Sequence, residues 1–503
     1  MNSELPGGSL EGIKAGYAGS RGANLLRMVL WLAIATLSIV KFFYLSADFP
    51  NDSPWMIDQA KYTDEGWWAN AAVMHQLAGH WHVAGDYNPA TALPVWPILL
   101  GFLFHFTGVS IVAARALNVA ISIGTLVVVY FLARRHTNEV PATVAVLLLA
   151  ASPFAFFFNR LAILDTLVIF EFCLLLLVAS FASLRRRWPL LALPVLATVM
   201  ILTKTTAAVL LPAVLWMAWK ALDGKLAGLV RALPALAVAP AALVVAYRGL
   251  VSALGYGGDY RYFFSANAMS PIVWSHTYAT IAEFLQGFLW LDLGLWLSGL
   301  AILAASLIWM RKLWSNPLFA ACWIALSGQA FFLFLRQEDF APRYYLPMLA
   351  PLGMITALAL GEFAGRVRKT AAVFLGLLVV CCAANVASIT QMLSQREYQF
   401  IDAANSIKAI IKSNPAQHPL IFGVSGSQVS LMTGIPSIND AYSTEDMAEK
   451  VARYQPGWYL AWNEIGDPEH TFLAPYRLEE AGRYPAFDDD ERNVLILYKM
   501  VRK

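Results

Sequence analysis

Leu93-Pro94-Val95-Trp96-Pro97-Ile98-Leu99-Leu100-Gly101-Phe102-Leu103-Phe104-His105-Phe106 is apolar almost throughout. Whether it crosses a bilayer decides the topology of everything after it. A spanning helix needs on the order of 20 apolar residues, and this stretch falls short, so it reads as an interfacial or re-entrant helix. Working outward, segments of bilayer length fall at 27–46, 109–133, 140–158, 162–183, 189–203, 206–220, 227–248, 285–310, 317–335, 344–365 and 370–392. The expected architecture is therefore a polytopic α-helical membrane protein with about eleven transmembrane helices.

Charge placement tests this scheme. With the Lys14 and Arg21 tail in the cytoplasm, the basic clusters Arg134-Arg135, Arg185-Arg186-Arg187, Lys220 with Lys225, Arg311-Lys312, and Arg366 with Arg368-Lys369 all fall on the cytoplasmic side, as the positive-inside bias requires. Reading Leu93 to Phe106 as a span would move Arg134 and every later cluster outside. The odd count leaves the C-terminus extracytoplasmic.

Composition agrees. Of 503 residues 58% are hydrophobic and 14% charged, and the mean hydropathy of +0.56 excludes ordinary water-soluble packing. A net charge of +3 gives no sign of a nucleic-acid partner. Cys173, Cys322, Cys381 and Cys382 all lie inside apolar runs and read as small buried hydrophobes, with no disulfide framework or zinc spacing. Arg21 and Arg27 before an apolar run resemble a secretory signal cleaved near Ala47, but Met28 to Leu45 exceeds the usual signal core of about 7–15 residues. An uncleaved anchor is the better reading.

The first outer loop, 47–108, then holds Asp48, Asp52, Asp58, Asp64, Glu65 and Asp86 against the single Lys61 before Leu93. Within it, Thr63-Asp64-Glu65-Gly66-Trp67-Trp68 places two adjacent carboxylates beside the bilayer but outside the hydrocarbon. That suits an enzyme that removes a proton from an acceptor while its other substrate is a lipid; the plain alternative is a solvated helix start. Trp67, Trp68, Trp81 and Trp96 are expected to anchor the loop at the interface. His75, His80 and His82 share it with Asp86 at spacings that match no ligand signature, so a divalent metal stays open without support. A second outer loop, 249–284, carries the turn-rich Gly255-Tyr256-Gly257-Gly258-Asp259-Tyr260.

From about Ser394 the composition becomes that of a soluble domain. A helix over Ile401 to Ile411, a strand over Leu420 to Val424, a helix over Ser443 to Arg453, and strands over Gly457 to Trp462 and Val494 to Met500 predict a small α/β domain. The expected organisation is thus a disordered cytoplasmic tail (1–26), a transmembrane domain (27–393) and a soluble extracytoplasmic α/β domain (394–503).

Ionisable residues at membrane depth are functional candidates. Asn159-Arg160 and Asp165 lie where one helix ends outside and the next begins; Arg160 either snorkels or acts, and Asp165 either pairs with it or acts. Glu171 lies deeper, on a different helix face from Asp165. Lys204, at the outer end of a helical hairpin, offers a point charge to a phosphate. Arg343, before Tyr344-Tyr345-Leu346-Pro347, can fork onto one. Each also reads as a helix-end cation reaching water. Two cations on the disfavoured side make a phosphate partner the stronger reading.

These elements together resemble the GT-C superfamily of membrane glycosyltransferases, in the branch of protein O-mannosyltransferases and the lipid A aminoarabinose transferase. The resemblance is carried by Asp64-Glu65, Gly79-His80-Trp81, Asn88-Pro89 and Pro94, Phe106-Thr107-Gly108 through Arg115, Asn159-Arg160 with Asp165, Thr203-Lys204 and Arg343-Tyr344-Tyr345-Leu346-Pro347, in order over most of the first 365 residues. It implies an inverting enzyme that moves a sugar, hexosyl or pentosyl, from a polyprenyl-phosphate donor to an envelope glycan, lipid or protein. Asp64 would be the general base, and Glu65 would orient the acceptor or a neighbouring basic group. Arg160, Lys204 and Arg343 would neutralise the departing phosphate, with Asp165, Asn88, Tyr344 and Tyr345 contacting substrate. The Lys-Pro-Pro segment of the aminoarabinose transferase is replaced here by Asn88-Pro89-Ala90-Thr91-Ala92-Leu93-Pro94, so one basic donor contact is missing, and the α/β domain differs from the lumenal domain of eukaryotic O-mannosyltransferases. The expected setting is a bacterial inner membrane.

Rival readings are a flippase of lipid-linked sugars, an envelope glycan polymerase or ligase, and a ligand sensor. Charges gathered at the outer face argue against the flippase, whose sites lie near the midplane. The early position of the carboxylate pair argues against the polymerase, and the many spans argue against the sensor.

Overall fold

The computed structural model describes residues 21–503 except 52, 56–58, 184–187, 269–273, 277, 283–284, 286–310, 337–340 and 367. The expected span 285–310, Asp52, Asp58, Arg185 to Arg187 and the first twenty residues fall outside the described set. Each of the other ten expected spans coincides with helix. Among the described residues, five stretches are long and apolar enough to cross a membrane by length and composition: Ile111–His136, Leu226–Ala253, Pro317–Leu335, Pro342–Ala364 and Ala372–Ser413. The remainder are shorter, Glu139–Ala150 among them, so helix length alone does not carry a count of eleven. Among the described residues the first helix is Arg21–Val40, whose opening residues fall inside the tail expected to be disordered.

Local sequence explains where the helices start and stop. The Ser110 side chain accepts from the Ala113 N–H at 3.2 Å, capping Ile111–His136, and Arg134, Arg135 and His136 fill the last turn, where cations meet the negative end of the helix dipole. Asp64–Ala78 ends at Gly79, whose φ of 78° is the left-handed conformation glycine supplies most cheaply. Val95–Thr107 is a 13-residue helix, about 20 Å long at 1.5 Å per residue, shorter than the roughly 30 Å hydrocarbon core of a bilayer, as Glu139–Ala150 also is. Trp96, Leu100 and Phe104 are buried while Ile98, Phe102 and Phe106 are exposed. Both faces are thus apolar, one turned to protein and one outward, as a helix lying against lipid requires.

The helical part is built around one large apolar cluster running from Leu30 to Ile389. A second cluster joins Trp67, Tyr87, Trp96, Phe104, Phe263 and Leu431, so the two outer loops and the C-terminal unit share a core. Trp67 and Trp96 therefore lie inside the protein rather than at the interface expected of them. The C-terminal unit holds a five-stranded sheet of order β2-β1-β3-β5-β4: β1 (Ile421–Phe422) pairs in parallel with β2 (Ser437–Ile438) and β3 (Trp458–Trp462), and β5 (Val494–Arg502) runs antiparallel to β3 and β4 (Tyr476–Pro485). Trp458 and Tyr459 are core residues of this sheet.

That unit is fastened to the first outer loop by groups withdrawn from water. The Lys450 ammonium meets the Asp86 carboxylate at 2.7 Å, both fully buried, and Asp86 also accepts from the Asn439 N–H at 3.0 Å. The Trp67 indole donates to the Val424 carbonyl at 3.1 Å. Gly66 lies flush against the Ser427–Gln428 backbone, where a Cβ would come within 2.2 Å of the Gln428 nitrogen.

Candidate active site

The two adjacent carboxylates of the first outer loop have opposite environments. Both open the helix Asp64–Ala78 and both are buried, Asp64 at 2% and Glu65 at 0% exposure. Glu65 is saturated by protein. Arg115 grips it in a fork, Nε to Oε1 at 2.8 Å and Nη2 to Oε2 at 2.6 Å, and the Ala162 N–H and the Gln428 amide add bonds of 2.7 and 3.0 Å. Arg115 in turn donates to the carbonyls of Leu45 and Ala47, each at 2.8 Å. Glu65 thus ties the first span, the Ile111–His136 helix, the lead-in to Leu164–Ser180 and the C-terminal unit into one knot.

Asp64 is differently placed. Its Oδ2 forms a 2.8 Å ion pair with Nη2 of Arg343 without a well-aligned hydrogen bond, and the Trp68 side chain also hydrogen-bonds the carboxylate. Its Oδ1 takes a long 3.3 Å bond from the Thr63 hydroxyl. Burial pushes the carboxyl up to about 7, with the Lys204 ammonium pulling the other way. The Arg343 contact acts in the same lowering sense. A buried carboxyl poised near neutrality has the properties a general base needs.

Beside it lies a second pair, Lys204 Nζ to Asp165 Oδ1 at 2.6 Å. Lys204 follows the Trp188–Thr203 helix in extended backbone, and Asp165 sits in the first turn of Leu164–Ser180. Tyr344 lies between the two cations: Lys204 Nζ is 4.9 Å and Arg343 Cζ 5.2 Å from its ring centroid. Asp64, Asp165, Lys204, Arg343 and Tyr344 therefore form one cluster from four chain regions, with two carboxylates balanced by two cations.

The other candidate residues have different surroundings. Asp165 pairs with Lys204, not with Arg160. The Arg160 guanidinium instead donates through Nη2 to the carbonyls of Phe43 and Tyr44 at 2.7 and 2.9 Å, and with Arg115 and Asp48 it lines a small separate chamber. Asn88 is committed to the fold: its amide bonds Val83 on both sides and reaches Asp259 at 2.9 Å, joining the two outer loops. Tyr345 is fully buried in the helical core. Deeper in the bundle, Glu171 accepts from the Thr203 hydroxyl at 2.8 Å, one residue before Lys204. His75 stacks on Trp81 at 4.3 Å and His82 pairs with Asp259 at 3.2 Å. Among the described residues no three His, Cys, Asp or Glu side chains gather as a metal site.

Comparison with known proteins places this arrangement. A family model described as dolichyl-phosphate-mannose-protein mannosyltransferase matches residues 89–247. The structure is similar to that of ArnT from Cupriavidus metallidurans bound to undecaprenyl phosphate, with a TM-score of 0.62 at 15% identity, over 93% of this chain and 97% of that one. The chain has the GT-C fold of membrane glycosyltransferases. The same fold appears in the Archaeoglobus fulgidus oligosaccharyltransferase in complex with Zn and sulfate, with a TM-score of 0.55 at 12% identity, over 94% of this chain and 75% of that one. It appears again in AglB from Archaeoglobus fulgidus with an inhibitory peptide and a dolichol-phosphate, with a TM-score of 0.53 at 13% identity, over 96% and 77%. No curated protein matches by sequence.

Two residues of the site escaped sequence reading as contributors. Arg115 carried a signal, an arginine inside an apolar helix. Gln428 carried none.

Proposed function

We propose that this GT-C-fold chain is an inverting glycosyltransferase that moves a sugar from a polyprenyl-phosphate donor to an envelope lipid, glycan or protein at the extracytoplasmic face of a bacterial inner membrane. The observation that carries the reading is the Asp64 carboxylate, buried, 2.8 Å from Arg343 and beside the Lys204–Asp165 pair. Asp64 takes the acceptor hydroxyl's proton; the acceptor oxygen bonds to the anomeric carbon from the face opposite the phosphate. The bond from that carbon to the phosphate oxygen breaks, and its electron pair leaves with the lipid phosphate. Arg343 and Lys204 stabilise the charge that develops there, the electrostatic contribution that usually dominates such steps. A phosphate needs no proton to depart, so one base suffices. Tyr344, ringed by both cations, flanks the donor site, and Glu65 serves the reaction by holding Arg115. The structures bound to undecaprenyl phosphate and dolichol-phosphate support the donor class.

The test is label transfer from a panel of polyprenyl-phosphate sugars by purified protein and by Asp64→Asn, with membrane extract as acceptor. Transfer that the substitution abolishes supports the reading. Equal transfer by both removes Asp64 as base. No transfer from any donor, with lipid movement across reconstituted vesicles, turns the reading toward a flippase.

A further inference from the structure

A helix begins with backbone N–H groups that have no partner within the helix, and a Ser or Thr before the first turn ordinarily supplies one. Thr63 occupies that position but makes no capping bond; its single hydroxyl hydrogen is shared between the Gln59 carbonyl at 3.1 Å and Asp64 Oδ1 at 3.3 Å. The Gly66 N–H is satisfied instead by Gln428 Oε1 at 2.7 Å, from 362 residues away. The same amide donates through Nε2 to Glu65 Oε2 at 3.0 Å, and Gln428 is fully buried. One side chain therefore closes the first turn of the helix that begins at Asp64 and completes the shell around Glu65.

We infer that Gln428 of the C-terminal unit is a positioning residue for the catalytic loop, fixing the turn from which Asp64 reaches the acceptor. The inference rests on the proposed role of Asp64. An apolar packing role alone would need no amide. Both ends of this one are used, each on a group within two residues of the base. The approach is also made possible by Gly66, since any β-carbon there would strike the Gln428 backbone. The soluble unit is thus part of the active site through a bond to its loop, whatever else it recognises.

The experiment compares full-length wild type with Gln428→Met, which keeps length and volume but removes both bonds, and with Gln428→Glu, which keeps only the acceptor for Gly66. Three readouts are taken: kcat and KM for the polyprenyl-phosphate sugar, binding of polyprenyl phosphate, and backbone hydrogen exchange over residues 62–70. For Gln428→Met we expect kcat to fall by between about tenfold and about a hundredfold, the range for a displaced catalytic group. Donor KM and polyprenyl-phosphate binding stay near wild type, and exchange at Gly66 accelerates while the sheet stays protected. Gln428→Glu retains Gly66 protection but loses kcat through repulsion from Glu65. Unchanged kcat in Gln428→Met, or a loss accounted for entirely by a smaller folded fraction, overturns the inference. If Asp64→Asn retains full transfer, it is the reading of Asp64 that fails; if Asp64→Asn is dead and Gln428→Met is fully active, only the positioning role fails.

Discussion

Replacing Gly66 by alanine adds one methyl group, and the structure sets what that methyl must do. Its carbon would lie 2.2 Å from the Gln428 nitrogen, 2.3 Å from the Ser427 carbonyl carbon and 2.5 Å from the Gln428 Cα, all backbone atoms with no rotamer to yield. Ordinary contact begins at 3.4 Å, so the two backbones must separate by about 1.2 Å along that direction. The 2.7 Å bond from the Gly66 N–H to Gln428 would then stretch beyond hydrogen-bond range, and the amide contact with Glu65 would be strained with it. Overpacking costs about 1–3 kcal/mol, and losing the neutral bond from the Gly66 N–H to Gln428 adds about 0.5–1.5 kcal/mol. The expected result is protein that still inserts and binds polyprenyl phosphate, with a lower thermal midpoint in detergent and a loss of kcat at least as large as that of Gln428→Met. Helix propensity would act the other way, because alanine is favoured over glycine by about 1 kcal/mol in a helix. A Gly66→Ala protein with a raised midpoint and native kcat would refute the close-approach argument and, with it, the coupling of the C-terminal unit to the loop.

Because burial holds the Asp64 carboxyl at about 7 and a base works deprotonated, kcat/KM is expected to fall about tenfold per pH unit on the acid side and to level above neutrality; a profile flat from about pH 5 to about pH 8 contradicts Asp64 as base. Lys204→Met leaves Asp165 buried without its cation, so the thermal midpoint drops, and adding Asp165→Asn recovers part of it, since the penalty comes from the unpaired charge. Polyprenyl-phosphate affinity should fall in the single Lys204 variant and stay low in the double, and full recovery of affinity there would reduce Lys204 to a structural role. Breaking the Asp86–Lys450 pair with Lys450→Met should cost about 3–5 kcal/mol and open residues 394–399 to protease; the double change Asp86→Leu with Lys450→Met should restore protection, and protease resistance in the single variant would show that the pair does not fasten the unit.

The parts of this molecule legible in the sequence are those that a local rule controls. Apolar helices were readable because a bilayer demands long apolar runs, but the number that cross was not, since Val95–Thr107 and Glu139–Ala150 are both shorter than that rule asks. The strand Tyr476–Pro485 was not, because Arg477, Glu479, Glu480 and Arg483 give an edge strand the polarity of a loop while its backbone pairs on one side with β5. The site divides in the same way. Asp64, Lys204 and Arg343 announced themselves as charges where charge is costly, but their pairing did not, since Lys204 meets Asp165 across 39 residues and no periodicity links them.

The adjacent pair Asp64-Glu65 shows why sequence could propose two carboxylates but not tell their surroundings apart. Successive residues of a helix point about 100° apart, so two neighbouring carboxylates cannot share one partner set. Here Glu65 turns into the protein and meets a forked arginine, a backbone N–H and an amide, four donors for four lone-pair sites. Asp64 turns the other way, toward Arg343 and the Lys204–Asp165 pair, with no bonded fork and fewer well-aligned donors than Glu65 has. A saturated carboxylate cannot accept a proton from an acceptor without first losing a bond; an unsaturated one can. The division of labour between two identical functional groups is therefore set by Arg115, Ala162 and Gln428, none of which lies in the loop, and the partner of Glu65 that comes from farthest along the chain belongs to the unit that composition alone would have called separate.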